Sequence, residues 1–337
     1  MKHSPPVYET RRERYQIDRC GPQQRAIQAS KIEFHALTKG HYPGRKVPAN
    51  ILPGLNSIGF LNAADMQDWG LDEHRNEGIE IVFLETGSMA FVVDGRKYDL
   101  RAGDFTLTRP WQLHKLGAPN IGPGRLHWLI LDVGVRRPHQ EWRWPGWVVL
   151  TKSDFATLTR RLRHSEEPVW PATPAVARAF GEVSGCVTVW DQPLAVSRMA
   201  ASLNQLLIAI LDALLQHRAR EDTQLASRQR TVEMFLRELA AGRLDAAQPW
   251  TLVDMARHCH MGQTAFAKYC RLLENTRPME FLNRCRLESA ARLLRAGDMR
   301  SITDIAFACG FNSSQYFATV FAKRFGTAPT RYRRGRI

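Results

Sequence analysis

The sequence predicts a chain of separate β and α parts: an N-terminal β-barrel, a helical middle region for dimerisation and linkage, and an all-α C-terminal domain built on a repeated pair of helices. Three observations carry this. Short apolar runs punctuated by turn residues recur between about 39 and 150. A leucine-rich stripe with helical spacing follows near 200. Two segments of the last third repeat each other at an offset of 50 residues, Thr251–Ala256 in one and Ser301–Ala306 in the other. At 337 residues the chain is longer than one ordinary core supports, so several domains are expected. The division expected is 1–38 as an N-terminal arm, 39–150 as the β domain, 151–227 as helices and linker, and 228–337 as the C-terminal domain.

Residues 1–30 show no periodicity and carry Arg11, Arg12, Arg14, Arg19 and Arg25, the composition of a flexible arm. They lack the apolar core of a secretion signal. No run of 18 apolar residues occurs, so a cytoplasmic protein with no membrane partner is expected. Strands are predicted over 79–84, 89–93, 104–108 and 126–131. Turns are predicted at Thr86-Gly87-Ser88, Asp94-Gly95, Ala102-Gly103-Asp104 and 117–124. Asp94-Gly95 between apolar strands is a strong hairpin signal. Ser153-Asp154 caps a helix to about 165, which Pro168, Pro171 and Pro174 interrupt. A long helix begins near Pro193. Its stripe Leu203, Leu207, Ile210 and Leu214, flanked by Leu206, Leu211 and Leu215, reads as a two-helix dimer seam or as a helix packed on its own domain. The polar stretch 216–229 reads as the interdomain linker. The six cysteines form no Cys-x-x-Cys pair and read as reduced core residues.

The net charge is +14. From Arg228 onward stand 19 Lys/Arg against 9 Asp/Glu, so +10 of that charge sits in the last third. This implies a polyanionic partner there. The repeat supplies its geometry. Thr251 and Ser301 are N-caps with an aspartate three residues on. Met255/Ala256 and Ile305/Ala306 face inward on a short first helix, and Gly310 makes a sharp turn. Second helices follow over about 263–273 and 314–325, with Gly326 as a C-terminal stop. Each unit is therefore a helix-turn-helix, whose second helix enters a DNA major groove. Residues 278–296 form one apolar-faced helix joining the units. Phe266, Phe317, Phe321 and Phe325 are expected in the core.

The run Arg286-Leu287-Glu288-Ser289-Ala290-Ala291-Arg292-Leu293-Leu294, followed by Ile302–Ala306, Gly310-Phe311, Gln315-Tyr316-Phe317 and Phe321–Pro329, resembles the AraC/XylS family of bacterial transcription regulators over roughly 232–333. The first unit departs from the family pattern at His260, Gly262 and Cys270, where glycine, serine and phenylalanine are usual. Gln263, Thr264 and Lys268 on the first recognition helix, and Ser313, Ser314, Gln315 and Thr319 on the second, are the expected base readers. Arg271, Lys323 and Arg331 are the expected phosphate clamps. Double-stranded DNA and a second copy of the chain are the expected partners.

The pattern His74-x-Asn76-x-x-x-Glu80, with Gly87, Asp94-Gly95, Leu100, Gly103-Asp104, Pro110 and His114, resembles the cupin-like barrel of sugar-responsive members of that family. The resemblance implies a small-molecule effector, a sugar or sugar derivative, with His41, Arg45, Glu80, Trp111, His114 and Trp128 at the mouth of its pocket. His74, Glu80 and His114 are three nitrogen and oxygen donors, but Asn76 stands where a metal-binding cupin has a second histidine. No metal, no cofactor and no enzymatic activity are expected. The alternatives are a barrel that only dimerises, and a cupin metalloenzyme with a DNA-binding tail.

Overall fold

The computed structural model describes residues 7–9, 14–16, 20–217 and 221–335. It divides into two compact units, Met1–Ala226 and Ser227–Ile337. In the first, β1 (Val7–Glu9) and β2 (Arg14–Gln16) pair antiparallel. Part of the Arg-rich opening read as an arm, Arg11, Arg12 and Arg19 included, lies outside the described residues. The rest of that expected arm is folded. Helix α1 (Gly21–Gln28) forms behind Pro22 in its first turn, and β3 (Glu33–Thr38) already belongs to the main sheet.

The sheet continues through β4 (Arg45–Lys46), β5 (Leu55–Ala63), β6 (Ile79–Val93), β7 (Arg96–Arg101), β8 (Asp104–Thr108), β9 (His114–Leu116), β10 (Gly124–Leu131) and the late β11 (Val169–Pro171). The strand order is β11-β8-β6-β10-β5-β3-β4, with β7 and β9 also on β6. All pairs are antiparallel except β3 with β4.

Strand β6 is a single run of 15 residues where two strands and a turn were expected. Gly87, at φ +91, bends the strand instead of reversing it, and the pairing with β10 slips between Arg125 and Leu126. The chains cross so closely that a Cβ on Gly87 would stand 2.0 Å from the Pro123 carbonyl oxygen. The first half of β6 pairs β8 and its end pairs β7 and β9, so one strand serves both halves of the β domain. Asp94 (φ +49) and Gly95 (φ +79) make the expected two-residue hairpin between β6 and β7.

Alternation along β10 sends Leu126, Trp128 and Ile130 into the barrel core. His127 points to the opposite face, where the Phe83 ring stacks on Phe180 at 5.3 Å. Phe180 belongs to α3 (Pro174–Thr188), an element absent from the sequence reading. Pro174, taken as an interruption, occupies the first turn of α3 behind the N-cap Thr173, where its missing N–H costs nothing. Helix α2 (Lys152–His164) is capped by Thr151, not by Ser153-Asp154, and Asp154 is the residue whose N–H that cap accepts.

Helix α4 (Ala195–Gln216) carries the leucine stripe. Leu203, Leu206, Leu207, Ile210 and Leu214 are wholly buried within their own unit, against α3 and α2. The stripe is thus spent on the chain's own core, and of the expected seam only Leu215 is exposed. By length and composition α4 is the one described helix that could cross a membrane, and the burial of this stripe accounts for its apolarity.

The second unit holds α5 (Arg228–Ala240), α6 (Leu252–His258), α7 (Gln263–Glu274), α8 (Pro278–Arg295), α9 (Ile302–Ala308), α10 (Ser314–Phe325) and α11 (Pro329–Arg334). Thr251 and Ser301 make full capping boxes with Asp254 and Asp304. Two cores form, each around one helix pair. Phe235, Phe266 and Phe281 anchor the first; Ile305, Phe317 and Phe321 anchor the second. Helix α8 belongs to both, giving Phe281 and Leu282 to one and Leu287 and Leu294 to the other. It is the shared beam of the two units.

Candidate DNA interface and barrel cavity

Each recognition helix is positioned by the turn before it. In the second unit that turn is left-handed at Gly310 (φ +87), where a Cβ would lie 2.6 Å from the Ala247 carbonyl oxygen. In the first unit the equivalent residue is His260, held at φ +51 at some conformational cost. Buried Arg286 of α8 ties the same loop down. Its Nε donates to the Ala246 carbonyl and its Nη2 to that of Gln248, both at 2.8 Å. One loop therefore touches the beam and the turn of the second unit.

The expected DNA-facing residues lie on exposed faces. On α7, Gln263, Thr264, Lys268 and Arg271 are exposed and recur at helical spacing, while Phe266 and Cys270 turn inward. Burial pushes the Cys270 thiol up to about 11, so it stays protonated. On α10, Gln315, Thr319 and Lys323 form a similar exposed row. Ser313 is the N-cap: its hydroxyl accepts from the Tyr316 N–H at 3.3 Å and donates to Gln315 Oε1 at 3.0 Å. Ser314 is half-buried. The Thr319 hydroxyl donates back to the Gln315 carbonyl at 3.0 Å, which turns the methyl into its available group. Arg331 is exposed on α11. The sequence reading missed Tyr316, an exposed aromatic on α10 whose hydroxyl accepts from Asn283 Nδ2 at 3.3 Å. Its position one residue off the four-residue row Phe317, Phe321 and Phe325 is the spacing signal that could have found it.

The barrel holds a cavity of about 50 Å³. Phe34, Leu61, Trp69, Leu126, Trp128 and Ile130 form much of its wall. Tyr42, His74, Asn76 and Glu80 give it a polar end, and Gln23 of α1 reaches it from outside the sheet. Of the six residues expected at the pocket, Glu80 and Trp128 line it. His114 stands directly behind Glu80, its Nε2 2.6 Å from the carboxylate. His41, Arg45 and Trp111 do not line it. Arg45 sits on the edge strand β4 and pairs with Asp191, Trp111 packs edge-on against Trp142, and His41 lies against Tyr42. Period-2 alternation along β10 could have identified Leu126 and Ile130; Trp69 comes from a loop and left no periodic signal.

The polar end is a connected group. Tyr42 donates to Glu77 Oε2 at 2.7 Å and to Asn76 Oδ1 at 3.3 Å, and Asn76 Nδ2 lies 3.4 Å from His114 Nε2. Burial, together with the charges of Glu77 and Glu80, drives the Tyr42 hydroxyl well above its ordinary pKa, so it remains a donor. The donor atoms of His74, Glu80 and His114 all lie within 4.8 Å of one another. Two imidazoles and a carboxylate suit a divalent ion, but here Glu80 already holds His114 and the Asn76 oxygen accepts from Tyr42. Outside the barrel, His127 joins Glu85 (2.6 Å) to Ser184 of α3 (2.8 Å), and burial lowers its pKa.

A helix-turn-helix domain family matches residues 255–335, and a cupin domain family matches 67–132. The HTH-type transcriptional activator RhaS of Citrobacter koseri is 23% identical over 303 residues, covering 88% of this chain and 95% of its own. RhaS of Klebsiella pneumoniae is 27% identical over 275 residues, covering 78% and 88%. A solved DNA-binding transcriptional dual regulator from Escherichia coli is 28% identical over 32% of this chain and 96% of its own, with a TM-score of 0.27. The chain thus joins a helix-turn-helix domain to an N-terminal cupin domain, and in this arrangement it is similar to the AraC-type transcription regulators.

Proposed function

We propose that the chain is a ligand-responsive, sequence-specific regulator that works in the cytoplasm as a homodimer. In this reading residues 1–226 sense a small effector and 227–337 bind DNA. The observation that carries it is the pair of polar helix faces, on α7 and α10, mounted on the single beam α8. Base reading falls to Gln263, Thr264, Gln315 and the Thr319 methyl. Lys268, expected as a base reader, joins Arg271, Lys323 and Arg331 in holding phosphates, because it stands on the exposed row of α7 one turn before Arg271. Ser313 acts through the helix cap, and Ser314 stands at the helix entrance beside it. The effector site is the barrel cavity, with Glu80 and Trp128 as its members from the expected set. His41 and Trp111 serve packing within the β domain, and Arg45 makes a surface ion pair with Asp191. An effector acts by favouring one of two arrangements of the chain that differ in DNA affinity. The relatives' names favour activation as the outcome.

The test is the salt dependence of binding to a duplex, measured by fluorescence anisotropy with the full chain. A basic face that displaces phosphate counterions gives a plot of log K against log salt with a slope of roughly −0.9 per phosphate neutralised. Four clamps in each chain predict a steep slope. A flat response would remove DNA phosphate from the account of this face.

A further inference from the structure

The two recognition helices meet at the middle of the beam. Asn283 and Arg284 are neighbours on α8, yet each holds a different unit. Asn283 Nδ2 donates to the Tyr316 hydroxyl, in the first turn of α10, at 3.3 Å. Arg284 pairs with Glu274 in the last turn of α7. Further along α8, Glu288 accepts from Arg324 at 3.0 Å, near the far end of α10. Helix α10 is therefore strutted to the beam at both ends. The Arg324 strut is a pair of opposite charges. The Tyr316 strut is neutral and incomplete.

Tyr316 Oη accepts from Asn283, but its own hydrogen has no acceptor among the described residues. The second Nδ2 hydrogen of Asn283 is in the same position. The pair is at the surface: Tyr316 is 51% exposed, beside the exposed Gln315. The phenol is also fixed in place. Its backbone N–H donates to the Ser313 cap, and its ring lies 6.3 Å from that of Phe311. A hydroxyl that accepts one hydrogen bond is polarised and donates the next more strongly. Two donors side by side match the oxygens of an anion, the strongest acceptors.

The place on the beam selects the anion. On one face of B-DNA, successive major-groove segments are about 34 Å apart, and the minor groove with its two bordering backbones lies between them. Helix α8 has 18 residues, a length of about 27 Å. A beam of this length that carries one recognition helix into each segment crosses those backbones. Its middle meets phosphates and no base edge.

We infer that Tyr316 and Asn283 form a neutral phosphate-binding pair, Oη and Nδ2 each donating to an oxygen of one backbone phosphate between the two groove segments. The inference rests on the reading of this unit as a DNA-binding domain. The pair adds affinity without adding charge. Because the same two side chains tie α10 to α8, it also fixes the second recognition helix relative to the backbone.

The experiment uses the full chain and a duplex that it selects from a random pool, with binding read by fluorescence anisotropy. Tyr316→Phe keeps the ring and removes the donor. It should weaken binding about tenfold, the loss of one hydrogen bond to a charged acceptor. The slope of log K against log salt should not change, because a neutral donor displaces no counterion, whereas Lys323→Ala lowers that slope. The unfolding midpoint should stay within about 3 °C of the wild type. A scan of single methylphosphonate linkages then locates the partner. One linkage between the two groove segments should cost the wild type about tenfold and Tyr316→Phe about threefold or less, since the variant has already lost that contact. Undiminished affinity of Tyr316→Phe, or equal sensitivity of both proteins at every linkage, would overturn the inference and leave the DNA-binding reading standing. A changed base preference in Tyr316→Phe would also overturn it, by making Tyr316 a base reader. Failure of the full chain to select any duplex would overturn the DNA-binding reading, and the inference with it.

Discussion

Replacing Gly310 with alanine tests how the second recognition helix is set. The perturbation has two parts. Gly310 sits at φ +87, and an L-residue in a left-handed conformation costs roughly 1–2 kcal/mol. The added Cβ would also stand 2.6 Å from the Ala247 oxygen and 2.7 Å from its Cα. These are backbone atoms of a loop that Arg286 holds in place, so the strain cannot be relieved by moving a side chain. Overpacking of this kind costs about 1–3 kcal/mol. Together the loss is about 2–5 kcal/mol. For a domain of this size each kilocalorie lowers the midpoint by roughly 4–8 °C, so the transition of 227–337 should fall by at least about 8 °C. Gly326→Ala is the control. Gly326 has φ +74 but nothing within 4 Å of a Cβ, so only the conformational part, about 1–2 kcal/mol, applies. Differential scanning calorimetry of the full chain reads both. Equal losses in the two variants would refute the idea that close approach to the Ala247 loop sets this turn.

Four further outcomes are expected. His260→Gly should stabilise the C-terminal unit by about 0.5–1 kcal/mol in urea unfolding, because it removes the left-handed cost at φ +51 from the first turn. Arg286→Met should destabilise the same unit by about 2–3 kcal/mol, since two loop carbonyls lose a charged donor in a buried place. Lys268→Ala and Lys323→Ala should each reduce the salt slope of DNA binding by about 1 and weaken all sequences alike, whereas Gln315→Ala should relax preference at one base pair, read by competition among duplexes. The fourth concerns pH. Burial lowers the His127 pKa in the folded state, so below the ordinary histidine value of about 6.5 the unfolded chain binds the extra proton and the folded chain resists it. The stability of residues 1–226 should hold above that pH and fall as the pH drops toward the folded value, and His127→Gln should flatten the fall in a pH series of urea melts.

How much was legible in the sequence depended on whether a signal was local. The caps Thr251 and Ser301 act through residues three positions away, and the two helix-turn-helix units follow from such signals almost to the residue. Asp94-Gly95 is equally local. The failures came from tertiary context. Thr86-Gly87-Ser88 has the composition of a turn, yet β10 and Pro123 pack so closely on Gly87 that the glycine serves a crossing. Pro174 reads as a stop and acts as a start, because the chain approaches α3 from its N-terminal side. The leucines of α4 have the same period whether they face a second copy or their own unit, and only the position of α3 decides between these. In the barrel, Arg45 and Trp111 have the right chemistry for a ligand but lie on the wrong side of their strands and loops. Phe34 lies on β3, ahead of the expected start of the β domain at 39, and Tyr42 lies in the loop after it, where no periodicity marks it.

The most direct test of the central claim is enrichment of random duplexes by the purified full chain at moderate salt. The expected result is an enriched motif containing two short conserved blocks about one helical turn, 10–10.5 base pairs, apart for each chain, one for α7 and one for α10. Recovery of a single block would contradict joint reading by the two units mounted on α8, and recovery of no motif would contradict sequence-specific regulation altogether.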